Sequence, residues 1–446
     1  TVEGANNGED LEMCATIVYG DKLVKAVKDG LVPEDRIDEA ALRIVRTVTA
    51  FEESWRASGK HYGLETIGCV EHCALALRSA RESITLLQNR QGTLPFKRQR
   101  VKKLALIGAL GSADNIGDHG SSRVYPAHIK TPLEGLINMA PDIEIIYYDG
   151  NSLDHVRLLA READAVVIIA GLDYQDEGEY VSEEQAQDYI SSPMEGSNLG
   201  GDRKDGLGLH KGDIALIEAA GLENQNSVVV LMGGGALLLD GWKDCVSAIL
   251  LAYYPGQEGG TALAEILFGE VNPSGKLPFV IPVDEGDLLP QPVRSLNWDT
   301  ENQHYDYYHG YTRLEKEGIA AMLPFGFGLS YTRFAISEPA FGVDARQVTA
   351  SCWVKNIGEQ AGDEVIQLYV GFKQSRIDRP VKLLRGFTRV SLEPGAGERV
   401  YLSCPLEKLK FYNPKTGEFE LESMSYEVYI GSSSAERDLL KGSISL

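Results

Sequence analysis

The sequence predicts an α/β domain built on a mainly parallel sheet, followed by an all-β sandwich. Three observations carry this. From Val101 to about Pro282, short apolar runs alternate with amphipathic segments, the pattern of a parallel sheet covered by helices on both faces. After Ser330, short alternating strands recur with turn signals between them, as a β-sandwich requires. At 446 residues, with 43% hydrophobic and 24% charged residues, the chain has ordinary globular composition and room for two or three domains.

In order along the chain, residues 15–58 read as two helices. Gly30 ends the first, and Pro33-Glu34-Asp35 opens the second with early acidic residues. Ile37, Ala41, Ile44, Val45 and Val48 give the second an apolar face at helical spacing. Residues 59–68 are a polar connector. A helix carrying Ala74, Leu75, Leu77 and Ala80 leads into a strand at Ser83–Leu87. Strands follow at Leu104–Ile107, Ile143–Tyr147, Ala165–Ala170, Ser227–Met232 and Ser247–Ala252. Helices Pro132–Met139, Leu153–Glu162, Lys211–Leu222 and Gly260–Leu267 lie between them. Residues 283–330 are irregular and rich in aromatics. Sandwich strands are expected at Val348–Lys355, Glu364–Gly371, Arg399–Cys404 and Ser425–Gly431, with turns at Pro394-Gly395 and Asn413-Pro414.

A formal net charge of −22 argues against nucleic acid as a partner, because phosphate binding needs basic surface. No run of eighteen or more apolar residues occurs, so no membrane span is expected. The six cysteines are scattered and read as small core residues of a reducing compartment. Cys69, His72 and Cys73 are close together, but no second ligand pair follows at zinc spacing; helix packing is the reading, with no metal. No acceptor sequon for N-glycosylation is present. Bacterial cytoplasm is the favoured location, with export signalled from a preceding segment as the alternative. The chain opens on Thr1 inside a polar stretch, so we expect a processed or split chain whose N-terminal part lies elsewhere.

The densest chemical signal is Asp176-Glu177-Gly178-Glu179-Tyr180, just beyond the apolar run ending at Ala170 and Gly171. Ligands of open α/β sheets bind beyond the carboxyl ends of such strands. Three carboxyl groups within four residues raise at least one pKa by like-charge repulsion, a way to keep a general acid protonated. The plain alternative is a solvated acidic loop. The stretch from Gly171 to Leu209 is too long for an ordinary βα connection, and such loops are usually functional. Gly117-Asp118-His119-Gly120-Ser121-Ser122-Arg123 fits neither dinucleotide nor P-loop spacing and reads as a structural turn. Gly233-Gly234-Gly235 reads as close backbone packing.

Several separated motifs then agree. Asn6–Met13, Glu82–Asn89 with Leu94-Pro95, Tyr254-Pro255-Gly256-Gln257-Glu258-Gly259-Gly260, Phe268–Pro278, Phe325–Thr332 and Arg379–Phe387 resemble, in that order, segments of family 3 glycoside hydrolases. These are the large multidomain β-glucosidases and β-xylosidases. The resemblance spans essentially the whole chain. It implies the tail of a (β/α)8-type barrel at 1–58, a linker at 59–80, an α/β sandwich domain at 81–292, an aromatic-rich connector at 293–330 and a fibronectin type III-like domain at 331–446. It also implies that the family's Asp nucleophile, in a Ser-Asp-Trp-type motif, falls before Thr1. The partner would then be the N-terminal barrel portion; a homo-oligomer is also compatible.

By that resemblance the activity is a retaining β-glycosidase, first a β-glucosidase, acting on a β-glucoside or oligosaccharide with no cofactor. Such enzymes use two carboxyl groups about 5–5.5 Å apart. The second comes from a loop of the sandwich domain, and Gly178-Glu179-Tyr180 matches that context best. Glu179 is the expected acid/base, with Glu177 its competitor. The Gly that usually follows the Glu is missing, and the Asp-Arg that often follows closely is displaced to Asp202-Arg203. Glu183, Glu184 and Glu195, in the inserted stretch, are weaker candidates. Tyr180 and Arg203 are the expected substrate contacts; Tyr174 also has the ring to stack on a sugar. Glu12, close to the nucleophile's expected position, reads as an organiser of the barrel loop. β-Xylosidase, a disaccharide-releasing exo-glycosidase and a non-catalytic carbohydrate-binding subunit are the rival readings. A nucleotide-binding α/β protein is remote.

Overall fold

The computed structural model describes residues 1–13, 16–120, 122–179, 201, 203, 206–288 and 307–446. It divides into two units, Thr1–Cys69 and Val70–Leu446. The first holds helices α1 (Val2–Asn6), α2 (Asp21–Lys28) and α3 (Glu34–Ser58). Ala5, Ala26 and Val32 form its small core. Gly59 ends α3 in the left-handed conformation, which glycine alone adopts without a Cβ penalty. No residue of α3 is buried. Ile37 packs against that core, but Ile44, Val45 and Val48 remain 37%, 59% and 54% exposed, so most of the apolar face read from the sequence has no cover among the described residues.

The second unit opens with α4 (Val70–Ser83) and strand β1 (Thr85–Asn89). The sheet then adds β2 (Lys103–Ile107), β3 (Glu144–Tyr148), β4 (Ala165–Gly171), β5 (Ser227–Met232) and β6 (Ala248–Leu251). Strand order is β1-β6-β5-β4-β2-β3, parallel throughout except for β1, which runs antiparallel to β6 at the edge. Every residue of β4 and β5 is buried, as expected of central strands covered on both faces.

The alternation of side chains in β4 shows how two cores arise from one strand. Val166, Ile168 and Ala170 join one apolar cluster, with Val156 and Leu159 of α6 (Leu153–Glu162) and Ile217 of α8 (Lys211–Gly221). Ala165, Val167 and Ile169 join the other, with Leu136 of α5 (Pro132–Met139) and Leu263 and Ile266 of α9 (Gly259–Phe268). Helix starts are set locally. Thr131 and Glu134 form a reciprocal capping box on α5, with Pro132 in the first turn, and Ser152 caps α6.

The connector contributes α10 (Gly310–Glu317). The C-terminal sandwich pairs β7 (Phe334–Val343), β8 (Gln347–Asn356) and β11 (Gly397–Pro405) in one sheet, ordered β11-β8-β7. The other holds β9 (Gly362–Gly371), β10 (Lys382–Leu392), β14 (Ser425–Gly431) and β15 (Leu439–Ser445), ordered β10-β9-β14-β15. A small hairpin, β12 (Phe411–Asn413) with β13 (Glu418–Glu420), completes it. Both expected turns are present. Of the described cysteines, Cys352 and Cys404 are buried in this sandwich, while Cys69, Cys73 and Cys245 are only partly buried, so the reading of all as core residues holds for two.

The motifs that carry the family resemblance turn out to join the sandwich to the α/β domain. Asn272 accepts from the Ser330 hydroxyl and the Tyr331 N–H, both at 2.8 Å, and donates to the Ala361 carbonyl. Lys276 pairs with Glu364 at 2.7 Å and donates to the Gly328 carbonyl. Gln367 donates to the Gly326 and Ser432 carbonyls.

Candidate active site

The strand order reverses between β2 and β4: β3 lies beyond one, β5 and β6 beyond the other. Loops leaving the carboxyl ends of β2 and β4 therefore part to opposite sides and leave a crevice, the usual ligand position in such sheets. The loop after β2 carries 117–123 and the one after β4 carries the acidic segment. Gly171 makes the exit from β4 possible. Its φ is +139° and a Cβ there would lie 2.0 Å from the Met232 carbonyl oxygen.

Beyond Gly171 the chain forms a single helical turn, α7 (Tyr174–Glu177), where the sequence reads as loop. Asp173 caps it and Asp176 closes the capping box. The turn sends the carboxyl groups to different partners, so the expected crowding is offset by neighbours of opposite or neutral character. Asp176 Oδ1 lies 2.9 Å from His210 Nε2. Glu177 Oε2 accepts from the Gly234 N–H and from the Tyr254 hydroxyl, each at 2.6 Å, while Oε1 lies 3.3 Å from Arg203 Nη1. Glu179 turns the other way, against the Gly120 backbone, where an added Cβ would meet its carboxylate at 2.7 Å. Its N–H donates to Asp118 Oδ1 at 3.1 Å.

The glycine-rich loop after β2 thus borders the acidic segment. Burial raises the Asp118 pKa, but N–H donors from Gly120, Glu179 and Ser122, with the Ser122 hydroxyl, outweigh it and hold the carboxyl below its usual range. His119 stacks on Tyr174, ring centroids 3.7 Å apart. Burial, reinforced by Arg123, keeps the His119 pKa low. Between the two loops lies a cavity of about 470 Å³ lined by Asp118, Tyr174, Glu177, Arg203, Gly234 and Tyr254, among others. Burial pushes the Tyr254 phenol well above its usual range, and its bond to Glu177 adds to this. Burial lowers the Arg203 pKa against the opposing pull of Glu177. Among the described residues, Arg203 Nε and Nη2 are buried with no acceptor.

Of the expected site residues, then, Glu177, Arg203 and Tyr174 line this cavity, while Glu179 lies against Gly120 and is not part of its lining. Tyr180, Glu183, Glu184 and Glu195 lie outside the described residues. In the first unit, Glu12 accepts three backbone N–H bonds, from Ile17, Val18 and Tyr19 at 2.7–2.8 Å. Burial works upward on its pKa, but those donors prevail and lower it. It orders that loop.

Residues 84–331 match the glycosyl hydrolase family 3 C-terminal domain, more than half of the chain, and 364–434 match a fibronectin type III-like domain. The chain belongs to glycoside hydrolase family 3. Thermostable beta-glucosidase B of Acetivibrio thermocellus is 33% identical over 98% of this chain. An exo-alpha-(1->6)-L-arabinopyranosidase of Bifidobacterium longum is 29% identical over 97%. The chain spans 56% of the length of each of these relatives. The GH3 beta-glucosidase of Bifidobacterium adolescentis superposes over 100% of this chain and 63% of its own, with a TM-score of 0.80 and 27% identity. Beta-glucosidase 3B from Thermotoga neapolitana gives 0.79 and 26% over 100% and 64%.

The residues that sequence reading missed in this family 3 domain are Tyr254 and Gly234, which hold Glu177 from loops after β6 and β5. Tyr254 stands inside a signature motif, but nothing local announces that its hydroxyl crosses to the acidic segment. Hydrogen bonds to charged groups contribute about 1.5–3 kcal/mol. Tyr254→Phe should therefore loosen 173–179 by that order, read as faster amide exchange in this segment with the sheet core unchanged.

His210 supplies a pH signature. Its hydrogen bond to Asp176 raises its pKa above the ordinary 6.5, burial opposes, and the charges of Asp176, Asp213 and Asp173 add to the rise. A group with a raised folded-state value contributes stability that is complete below the unfolded value and fades as pH climbs through the folded one. Thermal midpoints should thus carry a His210 contribution that declines as pH rises above about 6.5, and His210→Asn should flatten that decline.

Proposed function

We propose that this chain is the acid/base-bearing portion of a retaining β-glycosidase, first of all a β-glucosidase. Glu179 protonates the departing glycosidic oxygen and later deprotonates water. An Asp on a barrel segment outside this chain attacks the anomeric carbon and forms the covalent glycosyl-enzyme intermediate. The observation that carries the choice of Glu179 is the state of its competitor. Both oxygens of Glu177 are engaged by Gly234, Tyr254 and Arg203, so reaching a substrate would cost it those bonds. Glu179 has its backbone tethered to Asp118 and its carboxylate on the opposite side of the turn. Arg203 lines the cavity beside Glu177 and is the proposed contact to sugar hydroxyls; Tyr180 offers a ring.

The uncovered apolar face of α3 supports a barrel neighbour. The relatives' names support β-glucosides, and the arabinopyranosidase among them makes the glycone a question of barrel residues. The test is hydrolysis of aryl β-glucoside, β-xyloside, β-galactoside and α-L-arabinopyranoside, by the chain alone and by the chain joined to a family 3 barrel. We expect no turnover by the chain alone and turnover of the glucoside when joined. Turnover by the chain alone would refute the assignment of the nucleophile. Silence of every joined combination would favour the carbohydrate-binding subunit.

A further inference from the structure

We propose that Cys73, His128 and Glu258 form a binding site for a borderline-soft divalent cation of the zinc class. Sequence spacing points to no such site, because its members are far apart in the chain. The fold gathers them. Cys73 stands in the first turns of α4, His128 on the loop that leads into α5, and Glu258 at the cap of α9. One donor atom from each, the thiol sulfur, an imidazole nitrogen and a carboxylate oxygen, lies within 4.8 Å of the other two.

A tetrahedral zinc ion with bonds of about 2.0–2.3 Å spaces its ligand atoms roughly 3.3–3.6 Å apart. The His128 Nε2 to Glu258 Oε1 distance is 2.6 Å, so binding needs that pair to open by less than an ångström while sulfur closes in. The thiol proton leaves to solvent as the metal–sulfur bond forms. Magnesium and calcium call for all-oxygen sets, whereas mixed sulfur, nitrogen and oxygen donors suit zinc and its neighbours. Three protein ligands leave a fourth position for water, and the Gln257 amide nitrogen, 3.1 Å from the Cys73 sulfur, donates a hydrogen bond that would support the thiolate.

The surroundings hold the three donors in place. The Lys130 N–H donates to the Gln257 carbonyl at 2.7 Å, and the Gly260 N–H to the Lys130 carbonyl at 2.8 Å. These bonds stitch the His128 loop to the Glu258 turn. Arg81 of α4 grips Glu265 of α9 through two of its nitrogens, fixing the Cys73 helix against the same turn. A bound ion would tie the helix that precedes the sheet to two of the loops at its edge.

The test is titration of the full chain, stripped with chelator, with Zn²⁺ by calorimetry and with Co²⁺ by absorption. We expect one equivalent bound, a cobalt spectrum showing thiolate ligation in tetrahedral geometry, and a raised thermal midpoint. Cys73→Ser and His128→Ala should each weaken binding by about tenfold or more and abolish the thermal shift. Glu258→Gln should do so too, and the exposed His128 guards against loss of folding as the explanation. Cys69→Ser and His72→Ala should leave binding unchanged. No saturable binding, or binding that survives Cys73→Ser or His128→Ala, or that is lost with Cys69→Ser or His72→Ala, would overturn the site.

Discussion

Replacing Glu179 by Gln in the chain joined to a family 3 barrel should cost about 10²–10⁴ in turnover of substrates with poor leaving groups, the range that a positioned general acid supplies. Nitrophenyl glycosides, which leave without protonation, should lose far less in the first step. Their turnover should then be limited by hydrolysis of the glycosyl-enzyme, because water has lost its base. Azide needs no deprotonation and should restore rate and give a glycosyl azide. Glu177→Gln should behave differently. It removes one engaged oxygen from the Gly234, Tyr254 and Arg203 cluster and shifts the whole turn. A misplacement near 1 Å can cost about 10²-fold, and this loss should be alike for good and poor leaving groups, with no azide rescue. If the leaving-group dependence follows Glu177 rather than Glu179, the assignment reverses. If it follows neither, the proton donor lies elsewhere.

How far the sequence disclosed this arrangement depends on the range of the interactions. The strands β2 to β6 are legible because continuous apolar runs of four to seven residues between turn signals have few other readings. The antiparallel setting of β1 is not, since Thr85–Asn89 looks the same whichever way it pairs. In the sandwich, β11 alternates buried residues with exposed ones and β8 is buried at most positions, while β7 is nowhere fully buried and β10 only at scattered positions. The latter two lack the local signal that would mark them. Glu179 and Glu177 are legible as a pair of carboxyls on the loop after β4. Choosing between them requires Gly234 and Tyr254, which are 57 and 77 residues from Glu177. Hydrogen bonds between loops leave no periodicity. The helical turn Tyr174–Glu177 is hidden for another reason: its start depends on Asp173 and Asp176 acting as a cap, and the same residues read equally well as a charged loop.

Lys276→Met should destabilise the junction between the α/β domain and the sandwich by about 3–5 kcal/mol, the usual cost of stranding one member of a buried ion pair. Lys276 and Glu364 are only 12% and 11% exposed. With Lys276 gone, Glu364 keeps a bond to the Val365 N–H, too little to replace a cation. Glu364→Leu should cost a similar amount, leaving the ammonium with the Gly328 carbonyl as its remaining partner. The double variant is the informative one. Removing both charges removes both desolvation penalties, so it should lose much less than the sum of the single changes, a strong coupling in a double-mutant cycle. Midpoints of urea unfolding measure this directly. Additive losses would mean the two residues act separately, Lys276 through Gly328 and Glu364 through its own strand. Strong coupling would mean that the pair fixes how the two domains meet more than it raises net stability. The adjacent contacts of Asn272 with Ser330, Tyr331 and Ala361 have the same character. The motifs that mark this family most clearly would then be the ones that set the relation of sandwich to sheet, while the acidic segment 173–179 is marked less clearly by sequence patterns.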